Sequence, residues 1–568
     1  MTTQSFDTDD RNVVTSPGGQ RVHRRQLEQL DHLAAGFHRV RDGVWSLVGN
    51  GLSNQMFVEG PAGIIAIDTG ECIEEMREAL RQLREHTDRP IAAVMYTHFH
   101  YVDGTAAVLE EGNHADPLPV IGHERIAMNK VRTLGEISPA YSRGLIEQFG
   151  ITMPADGPDG LVSVGLGYWY KNPAHKPYTY GHVPVNMPLR GGETLLVAGL
   201  EILVDHAPSD ADDSCNFFFP SLELVINNSV WPALFNVFPI RGEEYRDPRV
   251  LIPGIETIRR WDPEHLVTGH GVPVSGRERI REITARYRDS IQFMWDQTVR
   301  GINKGWTSDE IAHRVVLPAV YDRDYFTRQG YGLTEHHVRQ IYVGLRGWFD
   351  GDESKLFPLE TSERNTRLIE GFGGRAAVAG KCRTALASDD LRWALELATW
   401  LVRSDGATQP DRDLLAECLR VLATRTTAAN IRDWAIERAR HLDGSGPMDR
   451  YFTHNFNPRL TPNLPVDELV HQLRVVLDPT GLEGFDHHFA FDVDGTRCGL
   501  HVRNHVAVPT DGSGATTTLS MRRDTLTRLL AGIDTFSALV ASGDVRVDGD
   551  ARAFDAFRVC LENKGMSS

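Results

Sequence analysis

One short run of residues restricts the fold of this 568-residue chain more than any other feature. The apolar segment from Ile91 to Tyr96 reads as a buried strand and leads directly into Thr97-His98-Phe99-His100. A segment with helical periodicity, Glu74 to His86, precedes that strand. This order is typical of α/β folds, whose functional sites lie at the carboxyl ends of strands. The two alternating histidines can then direct both imidazoles into one site.

Two further polar motifs also follow predicted strands. His206-Ala207-Pro208-Ser209-Asp210 comes after a strand-like segment that begins at Glu193, and Thr268-Gly269-His270-Gly271 follows later in the chain. Two neutral imidazoles and a third ligand are typical of a catalytic Zn²⁺ or Fe²⁺ with an open coordination position. The motifs therefore predict a metal site that includes His98 and His100.

Charge and composition exclude several classes of function. The chain has 60 Lys and Arg against 77 Asp and Glu, and its net charge of -17 would repel nucleic acid and anionic membranes. The N-terminus lacks the pattern of a secretory signal, and no apolar run approaches the roughly 18 residues of a membrane span. The six cysteines form no CxxC pair. We therefore expect a cytoplasmic enzyme with no nucleic-acid partner, no membrane span and no disulfide framework.

Changes in pattern along the chain predict four regions. Short strands and helices alternate in the first half, helical periodicity dominates the middle, and a mixed pattern follows the break at Gly444-Ser445-Gly446-Pro447. Residues 138–187, rich in Gly, Pro and Tyr, are expected to form a loose insertion that walls a cleft. The predicted regions are a polar N-terminal tail (1–35), a catalytic domain (36–285), a helical domain (286–443) and a C-terminal α+β domain (444–568).

Several motifs resemble a known family. They are Gly63-Ile64-Ile65-Ala66-Ile67-Asp68, Asn216-Phe217-Phe218-Phe219-Pro220, His336-His337-Val338-Arg339-Gln340-Ile341-Tyr342, Gly347-Trp348-Phe349-Asp350-Gly351 and Gly543-Asp544-Val545-Arg546-Val547-Asp548-Gly549-Asp550. They are similar to motifs of the metallo-β-lactamase superfamily and, within it, of the linear alkylsulfatases, which hydrolyse sulfate esters of fatty alcohols with two zinc ions. The resemblance implies an α/β fold, the metallo-β-lactamase αββα sandwich, followed by an all-α dimerisation domain and a C-terminal α+β sterol-carrier-like domain. It also implies a homodimer and a small-molecule substrate with an apolar part.

The resemblance also implies a metal-ligand set, from which this chain departs. His98, His100 and His270 are retained, and Asp210 stands where the sulfatases use glutamate. Val102 and Asp103 replace the Asp and His that complete the first motif, and Asn228 replaces the acidic residue that bridges two ions. The first subsite is therefore complete, with His98, His100 and Asp210. We expect one Zn²⁺, with a second ion at Asp103 and His270 left open, or with Asp103 joining the first ion.

Other residues receive roles from the same resemblance. Arg241 matches an arginine that the sulfatases direct at the sulfate, where its planar fork suits a tetrahedral oxyanion. Asp103 and Tyr168 are further candidates for catalysis. Asp68 and Asn228 are expected behind the metal ligands, and His337 near the same cleft.

Two reactions are consistent with this residue set. The first is metal-dependent hydrolysis of a sulfate ester or a related anionic ester with an apolar tail, in which the metal activates water. The alternative is a mononuclear non-heme Fe²⁺ oxygenase or oxidoreductase, because two histidines and one aspartate also form the facial triad of those enzymes.

Overall fold

A computed structural model describes residues 2–3, 5–446, 456 and 464–568 of the chain. The elements of the first half are β1 (Thr2–Thr3), β2 (Val13–Thr15), β3 (Arg21–His23), α1 (Arg24–Gln29), β4 (Gly36–Arg41), β5 (Val44–Val48), β6 (Gln55–Gly60), β7 (Gly63–Ile67), α2 (Ile73–Leu83), β8 (Ile91–Met95), α3 (Ala106–Glu111), β9 (Val120–His123), α4 (Ile126–Leu134), α5 (Ser138–Gln148), β10 (Met187–Leu189), β11 (Thr194–Val197), β12 (Leu200–His206), β13 (Cys215–Phe219), β14 (Leu224–Asn227), α6 (Pro248–Trp261), β15 (His265–Thr268), β16 (Val274–Ser275) and α7 (Arg277–Asn303). Within the described ranges, no helix is both long and apolar enough to cross a membrane.

The second half of the chain begins with helices and ends in a mixed domain. Its elements are α8 (Ser308–Arg314), β17 (Leu317–Pro318), α9 (Thr334–Arg346), α10 (Thr361–Gly371), α11 (Arg375–Ala387), α12 (Leu391–Val402), α13 (Gln409–Arg425), α14 (Ala429–Leu442), α15 (Val466–His471), β18 (Asp486–Val493), β19 (Thr496–Arg503), β20 (Val506–Thr510), β21 (Thr517–Met521), α16 (Arg523–Leu530), α17 (Phe536–Ser542), β22 (Val545–Asp548), α18 (Ala551–Arg558) and α19 (Lys564–Ser567). The chain forms two compact units, residues 1–126 with 144–447, and residues 127–143 with 448–568.

Two sheets form the centre of the first unit. One has the order β10-β9-β8-β7-β6-β5-β4 and the other the order β11-β12-β13-β14-β15-β16. In the first sheet, β4 to β7 run antiparallel, whereas β7, β8, β9 and β10 are parallel neighbours. The second sheet is antiparallel except for the parallel pair β14–β15. Both sheets thus contain parallel strands whose carboxyl ends can carry a site.

The two sheets pack face to face because each has an apolar inner face that contributes to one shared core. Along β7, Ile65 and Ile67 belong to the core shared with the second sheet, while Ile64 and Ala66 face the opposite way. The second face of the first sheet packs against α2, and that of the second sheet packs against α6 and α7. This alternation gives four layers, α, β, β and α, and it confirms the predicted sandwich.

The segment predicted as a polar tail is ordered and partly buried. β2 and β3 pair antiparallel, and Val22 and Leu33 are buried. The Gln26 side chain donates to the carbonyl of Thr426 at 2.8 Å, and the Asp7 backbone N–H donates to the carbonyl of Arg425 at 3.0 Å. The N-terminal residues are therefore attached to α13 and the residue after it, far along the sequence.

The region of predicted helical periodicity ends in an array of short helices, α10 to α14. α11 packs against α12, α12 against α13, and α13 against α14. Leu397, Leu401, Leu414 and Ile436 lie in their shared core. In the second unit, the sheet has the order β20-β19-β18-β21-β22, and its core contains Phe489. That unit also includes residues 127–143, so a piece of the predicted catalytic domain belongs to it.

Most predicted elements match the observed ones within a few residues. The strand predicted from Ile91 to Tyr96 is β8, Ile91–Met95, and the helix predicted from Glu74 to His86 is α2, Ile73–Leu83. One difference lies in the region predicted to be loose, which begins with the helix α5, Ser138–Gln148. Its sequence contains Pro and Gly, which favour loops, but Gly144 packs directly on the backbone of Arg241 and Ile146 is buried. Tertiary packing therefore outweighs the weak local helix propensity there.

Candidate metal centre

The candidate site lies where four strands of the sandwich end. The motif with His98 and His100 follows β8, and Asp210 lies in the turn after β12. Asn228 follows β14, and His270 follows β15. The backbone N–H of Cys215 donates to the carbonyl of Thr97 at 2.8 Å, which ties the second sheet to the histidine motif. The strand ends therefore converge, as the order of predicted elements indicated.

His98, His100 and Asp210 converge on one point. His98 Nε2 lies 3.1 Å from His100 Nδ1, and His100 Nδ1 lies 3.1 Å from Asp210 Oδ2. His98 Nε2 is 3.7 Å from Asp210 Oδ1. Their potential ligand atoms all lie within 4.8 Å of one another, and no other such group of His, Cys, Asp or Glu occurs among the residues described.

Outer hydrogen bonds determine which nitrogen each histidine presents. The Thr97 hydroxyl donates to Asp68 Oδ2 at 2.7 Å, so it accepts the Nδ1–H of His98 at 2.9 Å. His98 Nε2 therefore carries the free lone pair of this ring. His100 Nε2 faces Glu243 Oε1 at 3.5 Å, so the neutral ring that binds a metal would keep its proton there and present Nδ1.

The charges of the site favour a bound cation. Burial lowers the pKa of His98 to about 3. Burial also opposes the charge of Asp210, but His98, His100 and Arg246 outweigh it and hold the pKa of this carboxyl well below its usual value. Burial opposes the charge of His100 as well, but Asp210 and Glu243 outweigh it and raise the pKa of His100 to about 9, so a metal ion that binds here displaces the His100 proton. The Asn228 amide and the Ser209 hydroxyl both donate to Asp210 Oδ1, at 2.6 and 3.1 Å. A divalent metal ion fits this set of three acceptors, because neutral imidazole and carboxylate are its usual ligands.

Asp68 contacts His98 through Thr97. Its Oδ1 accepts the backbone N–H of Thr97 at 2.8 Å, and its Oδ2 accepts the Thr97 hydroxyl. Burial raises the pKa of Asp68 to about 7, against the lowering effect of these bonds. Through Thr97, Asp68 fixes the ring orientation of His98, which is the usual role of residues behind a metal ligand.

Asn228 is turned toward Asp210. Its Nδ2 donates to Asp210 Oδ1 at 2.6 Å and to Ser209 Oγ at 3.0 Å. The Trp231 indole donates to Asn228 Oδ1 at 3.2 Å, so the amide oxygen is engaged as well. Asn228 therefore holds Asp210 in place and supplies no negative charge to a second ion.

The structure does not bring His270 or Asp103 into the group formed by His98, His100 and Asp210. His270 Nδ1 donates to the carbonyl of Leu52 at 3.0 Å, and His270 Nε2 lies 3.2 Å from the hydroxyl of Tyr101. Since Nδ1 carries the proton, Nε2 accepts from Tyr101. The lone pair that would bind a second ion is thus occupied by a phenol. Asp103 instead contributes to the charge environment of Glu71 and Lys171.

Arg241 is buried beside the site but already has an ionic partner. Its Nη2 donates to Glu243 Oε2 at 2.6 Å, and Arg246 Nη2 donates to the same oxygen. Burial opposes the charge of Glu243, but the two arginines and His100 outweigh it and lower the pKa to about 2. Arg241, which was predicted to contact sulfate, is thus paired with the Glu243 carboxylate.

The remaining predicted residues lie in two different places. His337 is fully buried, accepts the backbone N–H of Phe238 at Nδ1 (3.2 Å), and has no hydrogen-bond partner at Nε2 among the residues described. Its pKa is lowered well below the usual value by burial and then by His336 and Arg246. Tyr168 lines a separate groove of about 960 Å³ with Trp169, so the structure does not bring it to the three ligands.

Sequence reasoning missed two residues of the site, Tyr101 and Glu243. Tyr101 stands inside the histidine motif, in a position that carries no fixed residue type in the family pattern. Glu243 follows Arg241 by two residues, and this short spacing between a carboxylate and an arginine is the sequence feature that indicates an ion pair. Neither residue was singled out, because the contact that matters joins it to a distant segment.

Two family models match the second half of the chain. One, described as alkyl sulfatase dimerisation, matches residues 307–445. The other, described as alkyl sulfatase C-terminal, matches residues 455–566. Together they cover the helical array and most of the second unit.

Curated relatives and a solved structure match over most of the chain. A linear primary-alkylsulfatase of Pseudomonas sp. is 31% identical over 89% of this chain and 98% of its own length. An alkyl/aryl-sulfatase of Saccharomyces cerevisiae is 25% identical over 91% of this chain and 80% of its own length. The structure of an inverting sec-alkylsulfatase from Pseudomonas sp. superposes with a TM-score of 0.83 at 25% identity, covering 97% of this chain and 91% of that one.

Proposed function

Because the chain belongs to the alkylsulfatase family of hydrolases, we propose that it cleaves a sulfate ester with an apolar tail at a centre that holds one divalent metal ion. The observation that carries this proposal is the convergence of His98 Nε2, His100 Nδ1 and the Asp210 carboxylate. Zn²⁺ is the ion we propose, since it accepts imidazole and carboxylate ligands without a redox role.

We propose one ion because the second subsite lacks its ligands. Val102 has no donor atom, and Asn228 is neutral and already hydrogen-bonded to Asp210 and Trp231. Tyr101 occupies the free nitrogen of His270. A second dication would have to displace that phenol without gaining a carboxylate.

The residues of this chain would bind and orient the substrate around the ion. Held by His98, His100 and Asp210, the ion would supply Lewis-acid catalysis. Arg241 and Arg246 add positive charge beside it, which favours an anionic sulfate ester.

Release of inorganic sulfate tests this function. Purified protein with Zn²⁺ restored is expected to release sulfate from primary alkyl sulfates of increasing chain length, with kcat/KM rising as the tail lengthens, because each buried methylene contributes about 0.8 kcal/mol. The metal-free protein is the control. Absence of sulfate release from the whole series, together with Fe²⁺-dependent oxygen consumption, would contradict the proposal and favour the oxygenase alternative.

We further propose that the protein is a homodimer through its helical region. Residues 348–359 expose several large apolar side chains. The exposed fractions are 68% for Trp348 and 89% for Phe357. Leu356 and Leu359 are also exposed, at 51% and 43%. Apolar residues grouped in this way mark association surfaces. The group lies within the range that matches the dimerisation family model.

Sedimentation tests the dimer. The parent protein is expected to sediment with twice the chain mass of 63.4 kDa. Phe357→Asp is expected to weaken self-association at least about 100-fold, because a charge would be buried in an apolar contact. Leu196→Asp is the matched control, because Leu196 lies on the edge strand β11 of the second sheet and is 79% exposed, and it should leave the mass unchanged. A monomeric parent would rule the dimer out.

A further inference from the structure

We propose that Glu243 is a positioning residue that orients the metal ligand His100 and holds Arg241 and Arg246 beside it. The proposal rests on the metal site of the proposed function. It goes further by assigning to Glu243 the link between the metal ligands and the groups that would meet the substrate's anionic end.

The contact between Glu243 and His100 carries the first part of the proposal. Glu243 Oε1 faces His100 Nε2 at 3.5 Å, and the ligand nitrogen Nδ1 is on the opposite side of the same ring. His100 Nε2 is a buried atom with no shorter hydrogen bond among the described residues. A carboxylate behind a ligating histidine selects its tautomer and makes it a stronger ligand. We expect the 3.5 Å separation to shorten when a metal ion holds the imidazole in place.

The contacts of the second carboxylate oxygen, Glu243 Oε2, support the other part of the proposal, that Glu243 holds Arg241 and Arg246. Glu243 Oε2 accepts from Arg241 Nη2 at 2.6 Å and also from Arg246 Nη2. Arg246 Nη1 in turn donates to the carbonyl of Asn236 at 2.8 Å. The side chains of Arg241, Glu243 and Arg246 are only 6%, 6% and 3% exposed. In so buried a setting, each charge must be paired, and the pairing fixes its position.

An alternative role for Glu243 is purely electrostatic. Glu243 could act only by balancing charge, because two guanidinium groups would otherwise stand unopposed near a dication. In that case, any change in metal binding would come from the loss of one negative charge alone. If Glu243 also orients His100, the loss of its acceptor oxygen must weaken metal binding beyond the effect of charge.

Two substitutions separate these explanations. Glu243→Gln removes the charge but keeps an oxygen that can accept from His100 Nε2. Glu243→Met removes both the charge and the acceptor at a similar side-chain volume. Glu244→Gln is the matched control, because it removes the same charge from the exposed neighbouring residue.

The readout is the Zn²⁺ affinity of metal-free protein, measured in competition with a chromogenic chelator and without substrate. Glu243→Met is expected to bind Zn²⁺ about 10–100-fold more weakly than the parent. Glu243→Gln should lose clearly less, and Glu244→Gln should bind as the parent does. Thermal denaturation of the metal-free proteins is measured first. If Glu243→Met alone does not fold, Glu243→Met with Arg246→Met replaces it, since that pair removes the acceptor while preserving local net charge.

Equal losses for the Gln and Met variants, or no loss in either, would overturn the proposal. The result is separate from the test of the proposed function. A parent that binds Zn²⁺ tightly but releases no sulfate would contradict the function and leave the positioning role measurable. A parent that binds no divalent ion would contradict both.

Discussion

Replacing Asp210 by alanine is expected to remove the metal and to lower sulfate release at least about 1,000-fold, or about 4 kcal/mol of transition-state stabilisation. Asp210 is the only carboxylate of the three ligands and supplies their only negative charge. Its loss would also leave Asn228 Nδ2, which donates to Asp210 at 2.6 Å, without that acceptor in a buried site. Metal content by mass spectrometry and the sulfate assay together check this prediction.

Two controls show whether the effect belongs to the metal. Asp212→Ala changes a partly exposed carboxylate of the same loop, which pairs with Arg125, and it should leave both metal content and rate near the parent values. His270→Ala tests the number of ions, because Tyr101 occupies its nitrogen. Parent and His270→Ala are both expected to hold about one ion per chain. Two ions in the parent and one in the variant would contradict a single-ion centre.

Gly104→Ala is expected to destabilise the protein by about 3 kcal/mol or more, because an added Cβ has no space. The Cβ would collide with the backbone carbonyl of Thr69, and it would lie 2.7 Å from the Cβ of Met76 and 2.8 Å from the carbonyl of Cys72. Two of these contacts are with backbone, which cannot turn aside. The loop after β7 and the histidine motif would have to separate.

Chemical denaturation of metal-free protein checks this prediction, and the remaining Zn²⁺ affinity shows whether the motif has moved. Gly380→Ala is the matched control, since Gly380 is an exposed residue inside α11 with nothing within 4 Å of the added Cβ. There, alanine is expected to raise stability by about 0.5–1 kcal/mol, because it favours helix more than glycine does. A Gly104→Ala protein as stable as the parent would show that the two loops can separate at little cost.

The sequence predicted the strand ends before Asp68 and His98 because each is preceded by a run that is apolar on both faces. Ile91 to Met95 and Gly63 to Ile67 can only be buried strands in a sandwich, and this places the loops after them at one edge. The ligand set His98, His100 and Asp210 followed from that placement and from the family resemblance. The helical array was also predictable, because its apolar positions recur at helical spacing over several helices.

What could not be predicted is the direction of side chains within the loops. Asp103 lies next to Val102 in the motif, but its direction depends on the turn of Phe99–Tyr101 and on its backbone bond to Gly70. Tyr101 meets His270 across 169 residues of sequence. Glu243 likewise contacts His100 from a segment that is distant in the sequence. Such pairs depend on how two sheets are stacked, which no local pattern encodes.

The attachment of the N-terminal residues to the helical region has a consequence for folding during synthesis. The hydrogen bond from Gln26 to Thr426 joins residues 400 positions apart. At a translation rate of about 5–20 residues per second, roughly 20–80 s separate the emergence of these two partners from the ribosome. During that interval the nascent N-terminal hairpin lacks the helix that it packs on. Long-range contacts of this kind also slow folding, so the N-terminal hairpin reaches its final packing only after α13 has been synthesised.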